Sequence, residues 1–155
     1  MVHTWIMDVT PLQNDMIYRK CYNRLPDWRR EKADRIRPLE GKMQSAGAWI
    51  LYQQMLKYYE LSDRMPYNLS HSGRYALCSV GTQLGVLVGC DVEMIKENKQ
   101  RLAERYFCPG EVDWIQSQTT EAEQAEGFYR YWVLKESFIK AIHLGMQQDL
   151  RKFEI

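Results

Sequence analysis

The feature that most constrains the fold is an apolar run at residues 84–90 that is followed by two carboxylates, Asp91 and Glu93. The run is rich in aliphatic and β-branched residues, a composition typical of a buried strand. Side chains alternate between the two faces of a strand, so Asp91 and Glu93 would lie on the same face. Neighbouring carboxylates repel each other, and burial increases the cost of their charges. They therefore lie either at a solvated strand end or beside a compensating cation.

A helix is predicted within residues 124–144 from the spacing of its apolar side chains. Its apolar face would consist of Tyr131, Leu134, Phe138, Ala141 and Ile142, and its opposite face would carry Trp132, Glu136, Lys140 and His143. Glu136 and Lys140 would be neighbours on that face. They form either an ordinary surface ion pair or, with the two carboxylates above, a site where three acids hold Mg²⁺ and lysines meet a phosphate.

Composition narrows the class of protein. The chain has 155 residues, enough for one compact domain or two small halves. A net charge of +1 provides no global field for nucleic acid, so an anion site must be local. The four cysteines form no C-x-x-C pair, which argues against structural zinc and fits a reducing compartment. Without a recognisable signal or a membrane-length apolar run, we expect a cytoplasmic protein that has no membrane partner.

The rest of the chain predicts a mixture of strands and helices, hence the α+β class. Strands are predicted at 2–9, 75–80 and 84–93, with the start of another at 150–155. Helices are predicted at 26–37, 42–59, 103–106 and 109–117, and a polar loop at 116–124. Turns are predicted at 68–73 and 81–83.

Four blocks of sequence resemble the motifs of one enzyme family. They are N-L-S-H-S-G at 68–73, G-C-D-V-E at 89–93, F-C-P-G-E at 107–111 and W-V-L-K-E-S-F-I-K at 132–140. In order and spacing they resemble the 4′-phosphopantetheinyl transferases of the surfactin-synthetase-activating type. The resemblance implies an α+β fold of two pseudo-symmetric halves, residues 1–82 and 83–155, of which the second is incomplete. Coenzyme A would lie between the halves.

The resemblance implies a transferase that moves the 4′-phosphopantetheine arm of coenzyme A to a serine of an apo acyl or peptidyl carrier protein. Adenosine 3′,5′-bisphosphate would be released, and the pathway would be fatty-acid, polyketide or nonribosomal-peptide biosynthesis. Asp91, Glu93 and Glu136 would bind Mg²⁺ or Mn²⁺. Glu136 would take the proton of the serine, and Lys140 would stabilise or protonate the departing phosphate.

The same resemblance assigns residues to coenzyme A. Lys135 would contact the pyrophosphate, and the nucleotide end would be held by Arg29, Lys32, Ser45, Ser70 and His71. From the residues alone, the basic segment 29–37 is more typical of a solvated helix face. The role of Glu111 stays open, and Trp132 would lie either beside the pantetheine arm or in the protein core.

The sequence also departs from the family pattern. Residues 62–67 are shorter than the family's strand-and-turn segment, 143–146 replace a glycine-richer run, and the family continues beyond position 155. We therefore expect an exposed strand edge that a second copy or a partner chain covers. A non-catalytic module that binds coenzyme A or a carrier protein is the alternative function. A metal-dependent phosphohydrolase is less favoured, because Glu93 and Lys96 would not share a strand face.

Overall fold

The computed structural model describes residues 1–143 and 149–155. Its elements are β1 (Val2–Asp8), α1 (Asp15–Tyr22), α2 (Asp27–Arg35), α3 (Leu39–Tyr58), β2 (Tyr67–Ser72), β3 (Tyr75–Gly81), α4 (Gln100–Tyr106), α5 (Pro109–Gln116) and α6 (Glu121–Ile142). Short 3₁₀ turns occupy Thr10–Gln13 and Leu150–Lys152. This mixture confirms the predicted α+β class. Within the described ranges, no helix is both long enough and apolar enough to cross a bilayer.

The three strands form one antiparallel sheet in the order β1-β3-β2, so β2 is an edge strand. β2 and β3 are joined by a tight turn in which Ser72 pairs with Tyr75. Gly73 occupies this turn with a φ of 52°, in the left-handed region that glycine adopts at little cost. The turn leaves the outer edge of β2 free to meet the chain that follows β3.

The sheet is covered by α3, and this packing forms the larger part of the core. Ile50, Leu51 and Met55 of α3 are buried, as predicted, and they pack with Cys78 and Val80 of the central strand. A separate cluster lies among α4, α5 and α6 and consists of Ala103, Phe107, Ile115, Phe128 and Tyr129. The apolar clusters therefore divide between the sheet with α3 and the later helices.

The predicted strand at 84–93 is wrong, because residues 86–96 belong to no helix or strand. Leu84 and Leu87 are exposed at 68% and 61%, although their apolar run predicted burial. The N–H groups of this segment are met by side chains of β2 instead of by a neighbouring strand backbone. The turn predicted at 68–73 is also wrong, since most of it forms β2.

The predicted apolar face of α6 is wrong as well. Leu134 and Phe138 are exposed at 44% and 45%, whereas Phe128, Lys135 and Ile139 are buried. The helix packs through this other face, and the buried ammonium of Lys135 has partners there, which are described below. α6 ends at Ile142. The helix predicted up to Leu144 extends beyond the described residues, and so does the segment 143–146 that departs from the family pattern. The strand predicted at 150–155 is a 3₁₀ turn followed by irregular chain.

Candidate active site

The segment after β3 crosses α6 at Gly89. A Cβ atom at this position would lie 1.9 Å from the carbonyl oxygen of Ser137 and 2.6 Å from the backbone nitrogen of Ala141. Helix backbone cannot yield to such a contact, so the crossing requires glycine. The close approach brings Asp91, two residues later, to the side of α6 that carries Lys140.

Lys140 forms an ion pair with Asp91, and the two side chains are the centre of the site. The ammonium nitrogen lies 2.6 Å from Asp91 Oδ1, and the side chains are 30% and 5% exposed. Lys140 also donates to the carbonyl oxygen of Cys90 at 3.3 Å. Its carboxylate partner is therefore Asp91 across the fold, rather than Glu136 on its own helix. This contradicts the ordinary surface-pair interpretation of Glu136 and Lys140.

Ser70 fixes the geometry of this ion pair. Its hydroxyl donates to Asp91 Oδ1 at 2.7 Å and accepts from Lys140 at 3.2 Å and from the backbone N–H of Val92 at 3.3 Å. A hydroxyl has one donor and two acceptor sites, so all three are used. The expected contact of Ser70 with coenzyme A would have to displace one of these bonds. Ser70 is placed to orient Asp91 and Lys140.

Glu136 completes a cluster of three carboxylates. Burial raises the pKa of its carboxyl group above the ordinary value, and the negative charges of Asp91 and Glu93 raise it further, while Lys140 opposes them. Asp91 and Glu93 are thus close enough to Glu136 to influence its charge. A half-buried carboxylate with a raised pKa is a stronger proton acceptor than an ordinary glutamate.

The carboxylates fit an oxygen-liganded divalent cation, although they are not gathered around a point. In the part of the chain that the structure describes, no three acidic, histidine or cysteine side chains are close enough together to hold a metal. However, Asp91 Oδ2 is buried without a hydrogen-bond partner. Such an oxygen is costly when unpartnered and is the donor type that Mg²⁺ prefers.

Lys135 is placed differently from the prediction. It is fully buried and lies 2.9 Å from Glu111 Oε2, in a pair whose side chains are 0% and 1% exposed. It also donates to the carbonyl oxygens of Leu150 at 2.9 Å and Phe153 at 2.7 Å. Three acceptors within the protein occupy this fully buried ammonium, so the expected contact with a pyrophosphate is inconsistent with this position.

Glu111 and Trp132, whose roles the sequence left open, are both packed. Glu111 accepts from the backbone N–H groups of Cys108 at 2.9 Å and Ile155 at 3.0 Å, which caps α5 and ties down the last residues. Trp132 is half-buried and stacks on Phe128 at a centroid distance of 5.7 Å. A cavity of 170 Å³ is bordered by Trp132 and Glu93 among other residues.

A group of cations lies on the other face of β2. Alternation places His71 opposite Ser70, on the face that Leu69 shares with the core. Partial burial lowers the pKa of the His71 imidazole, and the charges of Lys32, Lys140 and Arg29 lower it further. The His71 side chain nevertheless remains accessible to solvent. The predicted cations are therefore brought near one another.

Arg29 and Ser45 meet at the buried end of this group. Arg29 is 6% exposed and donates to the carbonyl oxygen of Ser45 at 3.0 Å. Its guanidinium lies over the rings of Trp49 and Trp28, at 4.9 Å and 5.4 Å from their centroids. Arg29 Nε and Ser45 Oγ are buried without partners. This corner retains unused hydrogen-bonding capacity, which a polar ligand could satisfy.

Sequence reasoning missed Asn68 and Ser72 of β2 as residues of the site. Both contact the carboxylate-bearing segment, as Ser70 does. The signal was available as a strict alternation of short polar side chains at 68, 70 and 72. It was overlooked because these residues were interpreted as a turn.

The family model of the 4′-phosphopantetheinyl transferase superfamily matches residues 87–155, which include the three carboxylates and Lys140. The 4′-phosphopantetheinyl transferase gsp of Aneurinibacillus migulanus is 36% identical over 89 residues, covering 57% of this chain and 36% of the relative. The corresponding enzyme Sfp of Bacillus subtilis is 34% identical over 89 residues, with coverages of 57% and 38%.

A mouse relative, L-aminoadipate-semialdehyde dehydrogenase-phosphopantetheinyl transferase, is 34% identical over 117 residues, which are 71% of this chain and 36% of the relative. The chain thus spans only somewhat more than a third of the length of the curated relatives that it matches. The matched stretch contains the crossing at Gly89 and both partners of the Lys140 ion pair. Over these residues the chain is therefore similar to the 4′-phosphopantetheinyl transferases.

Proposed function

We propose that the protein transfers the 4′-phosphopantetheine arm of coenzyme A to a serine hydroxyl of an apo acyl or peptidyl carrier protein. The observation that carries this proposal is the ion pair of Lys140 with Asp91, in which Asp91 Oδ2 stays buried and unpartnered while Glu136 has a raised pKa. A cation and a proton acceptor then lie side by side, as transfer of a charged phosphoryl group requires.

Asp91, Glu93 and Glu136 would hold Mg²⁺ or Mn²⁺, with Asp91 Oδ2 as the donor that is already free of hydrogen bonds. The ion would supply neutralisation of the pyrophosphate charge of coenzyme A. Oxygen donors of this kind suit Mg²⁺ better than they suit zinc or copper.

The side chains of this protein move the proton and meet the developing charge. Glu136 accepts the proton of the attacking serine hydroxyl, and the serine oxygen forms a bond to the pantetheine phosphorus. The bond from that phosphorus to the bridging pyrophosphate oxygen breaks, and adenosine 3′,5′-bisphosphate leaves with the electron pair. Lys140, which donates to Asp91 in the free protein, lies close enough to the carboxylates to stabilise this leaving oxygen.

The nucleotide end of coenzyme A would lie against the N-terminal half, residues 1–82. Arg29 and Lys32 supply the positive charge there, His71 supplies an imidazole, and Ser45 supplies a free hydroxyl. The C-terminal half, residues 83–155, would supply the carboxylates and Lys140. Arginine suits a phosphate because its guanidinium donates two bonds at once.

The test is to incubate the protein with coenzyme A, Mg²⁺ and a panel of apo carrier proteins from fatty-acid, polyketide and peptide synthetases. Mass spectrometry should show a gain of one phosphopantetheine arm on at least one carrier. An Asp91→Asn variant, nearly equal in shape, should transfer about 10²–10³-fold more slowly. Binding of coenzyme A without any mass gain would instead support the non-catalytic binding module.

A further inference from the structure

The carboxylate-bearing segment runs beside β2, yet no backbone ladder joins them. β2 pairs with β3 on one side only, and residues 90–94 belong to no strand. Three N–H groups of the segment donate to side chains of β2: Cys90 to Asn68 Oδ1 at 3.3 Å, Val92 to Ser70 Oγ at 3.3 Å and Met94 to Ser72 Oγ at 3.1 Å. Side chains of the edge strand thus replace the missing neighbouring backbone.

The spacing of these bonds fixes the register of the segment. Asn68, Ser70 and Ser72 lie on one face of β2, because side chains alternate along a strand. Each of them binds the N–H group of the residue 22 positions later. A shift of the segment by one residue would break this pattern at every rung.

The two serines also bind the carboxylates between the rungs. Ser70 Oγ donates to Asp91 Oδ1 at 2.7 Å, and Ser72 Oγ donates to Glu93 Oε2 at 2.8 Å. Each serine therefore holds one backbone N–H group and one carboxylate. Ser72 repeats for Glu93 what Ser70 does for Asp91.

The far end of this arrangement is anchored by the turn after β2. A Cβ atom at Gly73 would lie 1.7 Å from the sulfur of Met94, so the Met94 side chain packs directly on the glycine. The carbonyl oxygen of Gly73 accepts from Gln44 Nε2 of α3 at 2.7 Å. Ser72 thus lies next to a turn that contacts both α3 and Met94, although Glu93 itself is exposed.

We propose that Asn68, Ser70 and Ser72 form a side-chain ladder that holds the carboxylate-bearing segment, and that Ser72 is the positioning residue for Glu93. This inference rests on the proposed function, since it treats Glu93 as a ligand of the divalent ion. An exposed glutamate has many rotamers, and a hydrogen bond to one oxygen leaves the other directed for binding. Loss of such an orienting partner typically lowers metal affinity by about 10–100-fold.

The experiment compares Ser72→Ala and Ser72→Thr with a matched control, Ser117→Ala, which removes an exposed hydroxyl that donates to the carbonyl oxygen of Trp114. Mn²⁺ binding is measured from loss of the free-ion EPR signal at a fixed coenzyme A concentration, with a protein-free blank. Ser72→Ala should raise the Mn²⁺ dissociation constant about tenfold, at the lower end for orienting partners because Glu93 is exposed. Ser72→Thr, which keeps the hydroxyl, and Ser117→Ala should bind like the wild type.

Transfer assays on the same proteins provide a second readout. For Ser72→Ala, the Mg²⁺ concentration for half-maximal rate should rise by the same factor, while the rate at saturating Mg²⁺ stays near that of the wild type. Unchanged Mn²⁺ affinity in Ser72→Ala, with a wild type that binds the ion and transfers the arm, would overturn the ladder proposal alone. Affinity that is lost and not restored by threonine would also overturn it. A wild type that neither binds Mn²⁺ above the blank nor transfers the arm would overturn both proposals.

Discussion

Two lysines of α6, Lys135 and Lys140, each pair with a carboxylate from another part of the chain, and the two pairs are built differently. The pair of Lys135 with Glu111 is 0% and 1% exposed. Backbone carbonyls fill the remaining donors of the lysine, and backbone N–H groups meet both oxygens of the glutamate in addition. This pair is closed, with its hydrogen bonds made inside the protein.

The pair of Lys140 with Asp91 is open. Lys140 is 30% exposed, and Asp91 Oδ2 is buried without a partner. A closed pair can bind nothing further, so its contribution is to hold α5, α6 and the last residues together. An open pair leaves an unpartnered carboxylate oxygen and a partly exposed ammonium for a ligand. The same residue types, five positions apart on one helix, are therefore suited to structure in one case and to chemistry in the other.

The largest expected effect is on the closed pair. Lys135→Ala should lower the free energy of unfolding by about 3–5 kcal/mol, because it leaves the buried charge of Glu111 uncompensated. Urea denaturation followed by circular dichroism measures this loss. Replacing both partners, as Glu111→Leu with Lys135→Met, should recover most of it, since a buried pair is often replaceable by apolar side chains.

Lys140→Ala is the matched control for that prediction. Its ammonium is partly solvated, so the free energy of unfolding should fall by less than in Lys135→Ala, in which both members of the pair are fully buried. Its transfer rate should fall strongly, whereas the folded fraction of Lys135→Ala should keep its activity. If the two variants lost equal stability, the distinction between a closed and an open pair would be wrong.

The residues of the open pair could be singled out from sequence, although their pairing could not, and the closed pair was not predicted at all. The types and spacings of Asp91, Glu136 and Lys140 indicated a charged site, because those patterns are local. A position in a motif does not show whether a side chain faces the core or the site. Five residues rotate a helix by about 500°, which is one full turn and about 140° more, so Lys135 and Lys140 face different sides of α6. Only the packing of α6 against α5 shows which lysine is buried.

The elements of the fold also differ in whether they could be predicted from sequence. The helix α3 and the strands β1 and β3 were predicted because their hydrophobic periodicity is contained in their own residues. The apolar run at 84–90 indicated an extended segment, yet nothing within it shows what meets its N–H groups. Those partners are side chains of β2, about 22 residues earlier. Because residues 68–73 were predicted to form a turn, these side chains were not expected to be partners of the segment.

The next prediction concerns Glu136, the carboxylate that lies near the open pair. Its raised pKa means that the folded protein holds this proton more tightly than the unfolded chain does. The ionised carboxylate therefore costs stability at neutral pH, and that cost disappears as the pH falls below the folded pKa. Glu136→Gln should transfer the arm about 10²–10³-fold more slowly. Without metal at neutral pH, it should unfold at a temperature no lower than that of the wild type.

The pH profile of the wild type checks the same assignment. The transfer rate should fall toward acid pH at a pKa above the ordinary glutamate value of about 4.3. That limb should move to lower pH as Mg²⁺ is raised, because metal and proton compete for one carboxylate. Glu126→Gln, an exposed position of α6 paired with Arg130, is the control and should change neither limb nor rate. If the pH midpoint of this acid limb did not depend on the Mg²⁺ concentration, Glu136 would not be a metal ligand.

The smallest expected effect concerns His71, on the side of β2 away from the open pair. Partial burial and the charges of Lys32, Lys140 and Arg29 lower the pKa of its imidazole, so the free protein holds it neutral at neutral pH. A bound phosphate would favour the imidazolium and raise that pKa, so binding would take up a proton. Affinity for coenzyme A should then increase as the pH falls from about 8 to 6, by at most about tenfold per unit of pKa change.

Calorimetry in two buffers of different ionisation enthalpy measures the proton uptake directly. His71→Ala should abolish the uptake, and His3→Ala, which removes a ring stacked on Tyr59, should not. Dephospho-coenzyme A should show less uptake than coenzyme A if the 3′-phosphate is the group near His71. Equal uptake in His71→Ala and in the wild type would show that the phosphate lies elsewhere, and that the open pair works without this group of cations.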